Sequence, residues 1–352
     1  MEFQAVDSFE PIVSEWDDLA TRAGGSPFVR PGWFEAWWSA FGRGRPAIVT
    51  ARDGGRLVGV APLYRRRGTT HALSNVHSPE FAFLAADAAA DRALAERVFA
   101  ASPVHTSFAF LDAGSPSAVE LLRAARARRR HVFVSTLQRS PYVEVDGGWE
   151  RFEAGLAKKF VTDLRRRRRA LEREGAVAVE VADGSERREE LFAELLAVEP
   201  SGWKEGRGTS IASSPQTRAF YERVAAWASG QGFLRIASLR LDGRPLAVHL
   251  ALEANGVWYF LKGGVDPEAR RFAPGKLLVH ALLERAFDNG LRSYEFLGAD
   301  EPWKNDWQPA HRELVLQHSF SRTPVGFGWN SAVAAWRSVG LPLARRTVGA
   351  LR

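Results

Sequence analysis

Two stretches of alternating apolar and polar positions, far apart in the chain, share one plan. Residues 48–63 hold two apolar runs separated by Asp53-Gly54-Gly55, and residues 234–252 hold two more separated by Asp242-Gly243-Arg244. Asp-Gly between apolar runs predicts a tight β-hairpin, because glycine adopts the positive φ that the turn requires. Further strands and helices follow each hairpin. The repetition therefore predicts a duplicated α/β unit.

The spacing of apolar positions predicts the remaining elements. In the first half, helices are predicted at 13–23, 31–41, 88–100 and 117–129, and strands at 107–111, 132–137 and 142–145. In the second half, helices are predicted at 149–174, 187–198, 215–228 and 275–289, and strands at 177–181, 257–262, 293–297 and 313–320. The expected fold class is α/β (α+β). The turn Asp146-Gly147-Gly148 interrupts the pattern, so we expect domains at 1–146 and 147–323 and a helical tail at 324–352.

Composition limits the reactive groups and ligands that can be expected. A length of 352 residues fits about two domains, and a composition 45% hydrophobic and 25% charged is that of a globular protein. The absence of cysteine excludes disulfides, cysteine zinc sites and a thiol nucleophile. The histidines lack paired metal-ligand spacing, so no metal is expected.

Hydropathy and the N-terminal residues bear on the location of the protein. No apolar run approaches the length of a transmembrane segment, and the acidic first ten residues do not resemble a signal peptide. We therefore expect a cytoplasmic protein. The tail is expected to be a surface cap, with peripheral membrane contact as the alternative.

The net charge of +7 is carried almost entirely by arginine, and one basic run stands out. Residues 165–169 are five consecutive arginines within the predicted helix 149–174. Five consecutive helical positions point in every direction, so Arg167 or Arg168 must lie near the apolar stripe and needs an acidic partner, a phosphate or a path to water. No DNA-binding or RNA-recognition signature accompanies the run, so DNA is not an expected partner.

A second basic cluster lies where a strand and a loop lead into a helix. Arg270, Arg271 and Lys276 surround the predicted start of the helix near Gly275. Free backbone amides and the positive end of the helix dipole favour anions there, so the cluster is a candidate phosphate site. The alternative is a solvated loop before a Pro-Gly helix start.

An ordered series of motifs resembles a known family. It comprises Ser26-Pro27-Phe28 with Trp33, Trp37 and Trp38, the hairpin before Pro62-Leu63, the basic helix, Gly202-Trp203-Lys204, the run from Arg270 to Leu278, Leu297-Gly298, and Trp303-Lys304 with Trp307. Together these resemble the CelD/BcsL group of GNAT-like acyltransferases. That group is similar to the tandem-GNAT FemABX peptidyltransferases and is associated with cellulose and other exopolysaccharide production.

The resemblance implies two tandem GNAT-like domains with mixed central sheets flanked by helices. It implies acetyl-CoA or another acyl-CoA as the donor, transferred directly to an amine or to a small-molecule or saccharide-linked acceptor. The residues implied in donor binding are Arg270, Arg271, Phe272, Pro274, Gly275, Lys276 and Leu277. The sequence departs from the general GNAT phosphate loop, because Gly275 is its one glycine and Pro274 lacks an amide donor. The departure leaves two alternatives. In the first, aminoacyl-tRNA is the donor, and only then is tRNA a partner. In the second, the protein is a non-catalytic scaffold of a polysaccharide-making complex.

The resemblance also assigns candidate reacting groups. Glu295, inside an apolar strand, is a candidate base if it faces the cleft, and otherwise faces water. Lys304 is a candidate for holding an acceptor carboxylate or stabilising an oxyanion, with solvent exposure as the alternative. Asp300 lies in the same loop and is a candidate for orienting Lys304 or an amine. Trp203 and Lys204, together with Trp303, are candidate acceptor-binding residues, and for Trp203 the alternative is packing onto the core.

Overall fold

The computed structural model describes residues 1–101, 103–198 and 211–324. Its helices are α1 (Val13–Arg22), α2 (Pro31–Phe41), α3 (Ala88–Ala100), α4 (Pro116–Ala127), α5 (Trp149–Gly155), α6 (Lys158–Glu172), α7 (Arg188–Val198), α8 (Pro215–Gly230) and α9 (Pro274–Asp288). Its strands are β1 (Glu2–Val6), β2 (Arg45–Pro46), β3 (Ile48–Asp53), β4 (Arg56–Ala61), β5 (Leu63–Arg66), β6 (Thr69–Ala72), β7 (Leu84–Ala85), β8 (His105–Asp112), β9 (His131–Glu144), β10 (Val177–Ala182), β11 (Leu234–Leu241), β12 (Arg244–Ala254), β13 (Val257–Val265), β14 (Ser293–Glu295) and β15 (Ala310–Phe320).

The chain forms two compact units that interleave along the sequence. The first contains Met1–Gly25, Arg43–Leu137 and the described residues from Glu313, and the second contains Ser26–Gly42 and Gln138–Arg312. Strand β9 leaves the first unit after Leu137, and β15 returns to it after Arg312. These units are defined by contacts, so the boundaries 1–146 and 147–323, which divide the chain linearly, stay a prediction.

The first unit contains two sets of paired strands. One follows the order β1-β3-β4-β7, and the other follows β15-β8-β6-β5-β2 with β6 and β8 parallel. Helix α3 packs against β3 and β4. Gly59 of β4 permits a close approach, because a Cβ at that position would lie 2.8 Å from Leu94 Cδ1 of α3.

The second unit is built on a mixed sheet in the order β10-β11-β12-β13-β14-β9. All neighbouring strands in it are antiparallel except β13 and β14, which are parallel. Helix α9 lies on one face, where Leu278 and Leu282 share a buried core with Trp258 and Tyr294 of the central strands. Mixed sheets flanked by helices are the predicted fold class.

Both predicted hairpins are present. Gly54 and Gly55 join β3 to β4 with φ of +54° and +80°, and Asp242 and Gly243 join β11 to β12 with φ of +49° and +83°. Two consecutive positive φ angles are the geometry of a two-residue hairpin turn.

One predicted helix and two predicted strands differ from the structure in how they divide. The single helix predicted at 149–174 is two helices, because Leu156 takes an extended ψ of 159° and buries its side chain in the core. Gly155 favours the break, since glycine is a poor helix former. In contrast, the strands predicted at 132–137 and 142–145 are one continuous strand, β9.

The tryptophan-rich helix α2 packs inside the second unit. The Phe28 ring contacts Trp33 and Tyr259 edge-on, at centroid distances of 4.9 and 5.0 Å. A Cβ on Gly32 would lie 2.1 Å from the Trp227 ring of α8, so only glycine fits there. The N-terminal aromatic motif therefore anchors α2 to β13 and α8.

Across the described ranges, no helix combines the length and apolarity needed to cross a membrane.

Candidate active site

The two parallel strands of the second unit separate after three residue pairs. Their register runs from Val257 opposite Ser293 to Tyr259 opposite Glu295. Strand β13 then continues to Val265, whereas β14 ends and the next amide, that of Phe296, donates to Pro141 O at 3.0 Å. The strands thus open into a fork at Tyr259 and Glu295. The carboxyl ends of parallel strands, where neighbours diverge, are the usual ligand sites of α/β sheets.

Helix α9 begins just beyond the longer arm of the fork. Ala273 precedes it in the left-handed conformation, at φ 51° and ψ 49°, and Pro274 is its first residue. The amides of Lys276 and Leu277 both donate to Ala273 O. Since Pro274 has no N–H, the Gly275 amide is the main donor of the first turn that is left for an anion.

Gly275 is required for a close approach. A Cβ on this residue would lie 2.8 Å from Val265 Cγ2 at the end of β13. The glycine therefore lets the helix start lie against the strand from which it emerges. The single glycine of the sequence motif thus has a structural reason.

The other predicted donor-binding residues divide into charged and buried groups. Arg270 and Arg271 are exposed on the turn Pro267–Phe272, and Lys276 pairs with Asp306 at 2.6 Å. Phe272, Pro274 and Leu277 are buried, and the Phe272 and Leu277 side chains belong to the core. Arg271 also pairs with Glu174 at 3.2 Å, so the charged residues lie at the surface and two of them already pair with acids.

The arginine run of α6 connects to this turn. Arg167 Nε donates to Asp163 Oδ2 at 2.6 Å, and its Nη1 donates to Arg271 O at 2.5 Å. Arg167 is therefore the arginine expected near the apolar stripe, and it has both an acidic partner and a backbone acceptor. Its neighbours Arg166 and Arg168 are exposed and pair with acids on the same helix. Arg167 therefore fixes the turn that leads into α9.

Glu295 is buried at the fork, with 5% of its surface exposed. Its Oε1 accepts hydrogen bonds from Arg312 Nη2 at 2.8 Å and Ser293 Oγ at 3.2 Å. The Arg312 guanidinium also lies 4.2 Å from the centre of the Tyr142 ring. Glu295 does not face water, and it forms an ion pair that its own strand gave no indication of.

Lys304 is also buried, with 4% exposure, and its ammonium holds the loop that follows β14. It donates to Leu297 O at 2.7 Å and Ala299 O at 2.8 Å, and lies 3.4 Å from Glu301 Oε2. Leu297 and Gly298 both have positive φ, of 54° and 62°. Lys304 thus satisfies one carbonyl in this left-handed bend, that of Leu297, and the Ala299 carbonyl just after it. Of the two alternatives for Lys304, solvent exposure is wrong.

Asp300 lies in the loop that Lys304 holds. Its Oδ1 is 3.2 Å from His311 Nε2, and its Oδ2 is 3.7 Å from Arg139 Nη1. The carboxylate therefore faces two basic groups from β9 and β15. None of His311, Arg139 and Arg312 stands in a motif, so the sequence pattern does not indicate them.

Trp303 is half-buried and donates from Nε1 to Glu301 Oε2 at 3.1 Å. Its ring meets Phe296 edge-on at 5.8 Å, so it closes the core beside the loop. Trp203 and Lys204 lie outside the described residues. In the described parts of the chain, no three His, Asp or Glu side chains are placed to hold a metal ion.

Comparisons with known structures bear on the fold. FemX superimposes with a TM-score of 0.58 at 12% identity, covering 90% of this chain and 97% of FemX. The C-terminal domain of a putative lysylphosphatidylglycerol synthetase from Agrobacterium fabrum gives 0.56 at 13% identity, covering 93% and 96%. L-PGS from Bacillus licheniformis gives 0.52 at 13% identity, covering 89% and 97%. At these identities the likeness shows the shared fold alone.

Comparisons of sequence bear on the family. A search of curated protein sequences finds no match. The family model described as an acetyltransferase (GNAT) domain matches residues 4–118 and 158–305, most of the chain. The expected fold, two tandem GNAT-like domains with sheets flanked by helices, is confirmed. The chain belongs to the GNAT acetyltransferase domain family, and the family marks it as an acyltransferase.

Proposed function

We propose that the protein transfers an acyl group from acyl-CoA, with acetyl-CoA as the simplest donor, directly to an amine or saccharide-linked acceptor. The observation that carries the proposal is the fork at Tyr259 and Glu295, with the start of α9 beyond its longer arm. The thioester would lie in the fork and the pyrophosphate near the Gly275 amide. Arg270 and Lys276 add positive charge at the same helix end.

The residues present fit such a donor in part. The helix start is basic and approaches β13 closely, as a phosphate site beside a strand requires. Against this, the Lys276 and Leu277 amides are already bonded and Pro274 has none. The site therefore relies on side-chain charge more than on a cradle of amides, and we expect moderate affinity that falls with salt.

The transfer itself needs no enzyme-bound intermediate. The chain contains no cysteine, so no thiol is available to carry the acyl group. In direct transfer the acceptor nitrogen forms the C–N bond, the C–S bond breaks, and the thiolate leaves with the electron pair and takes up a proton. The protein's part is to align the two reactants, supply the positive charge and accept a proton.

Calorimetric titration with acetyl-CoA tests the proposal. We expect saturable binding with a dissociation constant below the millimolar range. Absence of binding at millimolar acetyl-CoA would contradict an acyl-CoA donor while leaving the family assignment intact.

Aminoacyl-tRNA is the second candidate donor, and one surface favours it. Lys158, Lys159 and Arg173 are exposed at α6, on the helix that Arg167 ties to the turn before α9, and none has an acidic partner in the described ranges. This donor predicts RNA binding that weakens about 100-fold between 50 and 200 mM salt if about four phosphates are neutralised. Filter binding with bulk tRNA, beside the acetyl-CoA titration, distinguishes the two donors.

Three finer assignments come from the sequence alone. They are the limits 1–146 and 147–323, a cytoplasmic location, and a role in cellulose or exopolysaccharide production. All three belong to this proposal, with the donor site in the C-terminal domain.

A further inference from the structure

We propose that Asp300 and His311 form a proton-accepting pair, in which His311 takes the proton from the acceptor amine and Asp300 positions it. The inference rests on the proposed acyl transfer and adds a residue, His311, to it. Asp300 Oδ1 and His311 Nε2 lie 3.2 Å apart.

Both atoms of this contact are buried and need a hydrogen-bond partner. Asp300 Oδ1 and His311 Nε2 are both fully buried, and in the described ranges neither has a hydrogen bond of good geometry. Their separation is that of an ion pair, although the angle is not yet that of a hydrogen bond. A buried polar atom without a partner destabilises the folded state. A hydrogen bond between these two atoms would satisfy both at once.

The opposite edge of the imidazole is the accessible one. His311 keeps 17% of its side chain exposed although Nε2 is buried, so the exposure belongs to the other side of the ring. Nδ1 has no hydrogen-bond partner among the residues that the structure describes. A carboxylate on one ring nitrogen fixes the tautomer and leaves the other nitrogen's lone pair free to accept a proton.

Both residues of the pair belong to chain segments that border the fork. Asp300 follows β14 in the loop whose Leu297 and Ala299 carbonyls Lys304 holds. His311 precedes Arg312, whose guanidinium reaches Glu295 at 2.8 Å. Arg139, 3.7 Å from Asp300 Oδ2, adds a positive charge beside the pair. Glu295 is less suited to the role, because its Oε1 already accepts from both Arg312 and Ser293.

The proton balance of the step is simple. A primary ammonium group gives one proton to His311 Nδ1 and becomes a neutral amine, while Asp300 stabilises the imidazolium. The amine lone pair forms the C–N bond with the thioester carbonyl, and the C–S bond breaks. The second nitrogen proton passes to the departing thiolate, and His311 returns its proton to solvent.

The first test needs no acceptor. In ¹H–¹⁵N NMR spectra of the full chain, we expect a downfield, slowly exchanging imidazole N–H that is absent from His311→Gln. This proton signal should move upfield in Asp300→Asn. It should stay in place in the control Asp146→Asn, because Asp146 is exposed. No such proton, or one that Asp300→Asn leaves unmoved, would overturn the pair.

The second test concerns the proton. With acetyl-CoA as donor, ethanolamine is protonated at neutral pH and must lose a proton, whereas hydroxylamine is already neutral. We expect His311→Gln to lower ethanolamine acylation about 100-fold and hydroxylamine acylation far less, with added imidazole restoring part of the loss. Equal losses with both amines would overturn the proposal, as would a wild-type protein that acylates hydroxylamine but not ethanolamine, or neither amine. Acetyl-CoA binding by the same variants separates this failure from failure of the donor.

Discussion

Replacing Lys304 with methionine separates a structural role for this residue from a catalytic one. Lys304 is 4% exposed, and its ammonium donates to Leu297 O and Ala299 O. Methionine has a similar length and cannot donate. Leu297 O, in the left-handed bend at Leu297 and Gly298, would lose its partner, and Ala299 O would keep only the Glu301 amide.

The size of the effect follows from these contacts. Hydrogen bonds from a charged donor contribute about 1.5–3 kcal/mol each, so losing two costs about 3–6 kcal/mol. Methionine also removes the cost of burying an ammonium, which offsets part of the loss. We expect a net destabilisation of about 2–4 kcal/mol, or a melting temperature lowered by roughly 3–5 °C for a chain of 352 residues.

Thermal unfolding followed by circular dichroism measures this directly. The matched control is Lys159→Met, because Lys159 is exposed on α6 and should leave the melting temperature within about 1 °C. If Lys304→Met melts with the wild type and yet loses acyl transfer, the reasoning is refuted and Lys304 acts on the substrate.

Two further predictions concern stability in each unit. Gly32→Ala should destabilise the protein by about 1–3 kcal/mol, because the added Cβ would lie 2.1 Å from the Trp227 ring. Gly230→Ala is the control, since open space surrounds Gly230 and no loss is expected. Equal urea midpoints for the two variants would contradict the prediction. Burial and neighbouring charges lower the pKa of His105 from 6.5 to about 3 and that of His71 to about 4. Below pH 6.5 both histidines stay neutral in the folded protein, while the unfolded chain binds protons. The stability they contribute is therefore full above pH 6.5 and is lost as the pH falls toward 4 for His71 and 3 for His105. At pH 5 the loss is about 2 kcal/mol per histidine. Urea unfolding at pH 7 and pH 5 measures the loss, and a pH-independent midpoint would show that these histidines are not buried as described.

Local signals made most of the fold predictable. The helices at 31–41 and 88–100 and both Asp-Gly hairpins have the predicted bounds or turns, because apolar spacing and glycine act within a few residues. The break at Leu156 was missed, since it depends on where one side chain finds room in the core.

The site was predictable only where a motif marks it. The start of α9 carries a Pro-Gly-Lys motif and was located correctly. The contacts that define its chemistry join residues distant in sequence. Arg312 meets Glu295 across 17 positions, and Arg167 meets Arg271 across 104. No periodicity encodes such pairs, and the two carbonyls on Lys304 depend on positive φ angles that appear only in the folded backbone.

The central claim, an acyl-CoA donor at the start of α9, is tested most directly by measuring acetyl-CoA affinity in two variants that add the same carboxylate. Gly275→Asp puts it beside the free amide, and Gly230→Asp puts it in open space at the end of α8. Melting curves verify that each variant folds, since Gly275 also packs on Val265. The account predicts affinity lowered at least about tenfold by Gly275→Asp and unchanged by Gly230→Asp, and equal affinity in a folded Gly275→Asp protein would contradict it.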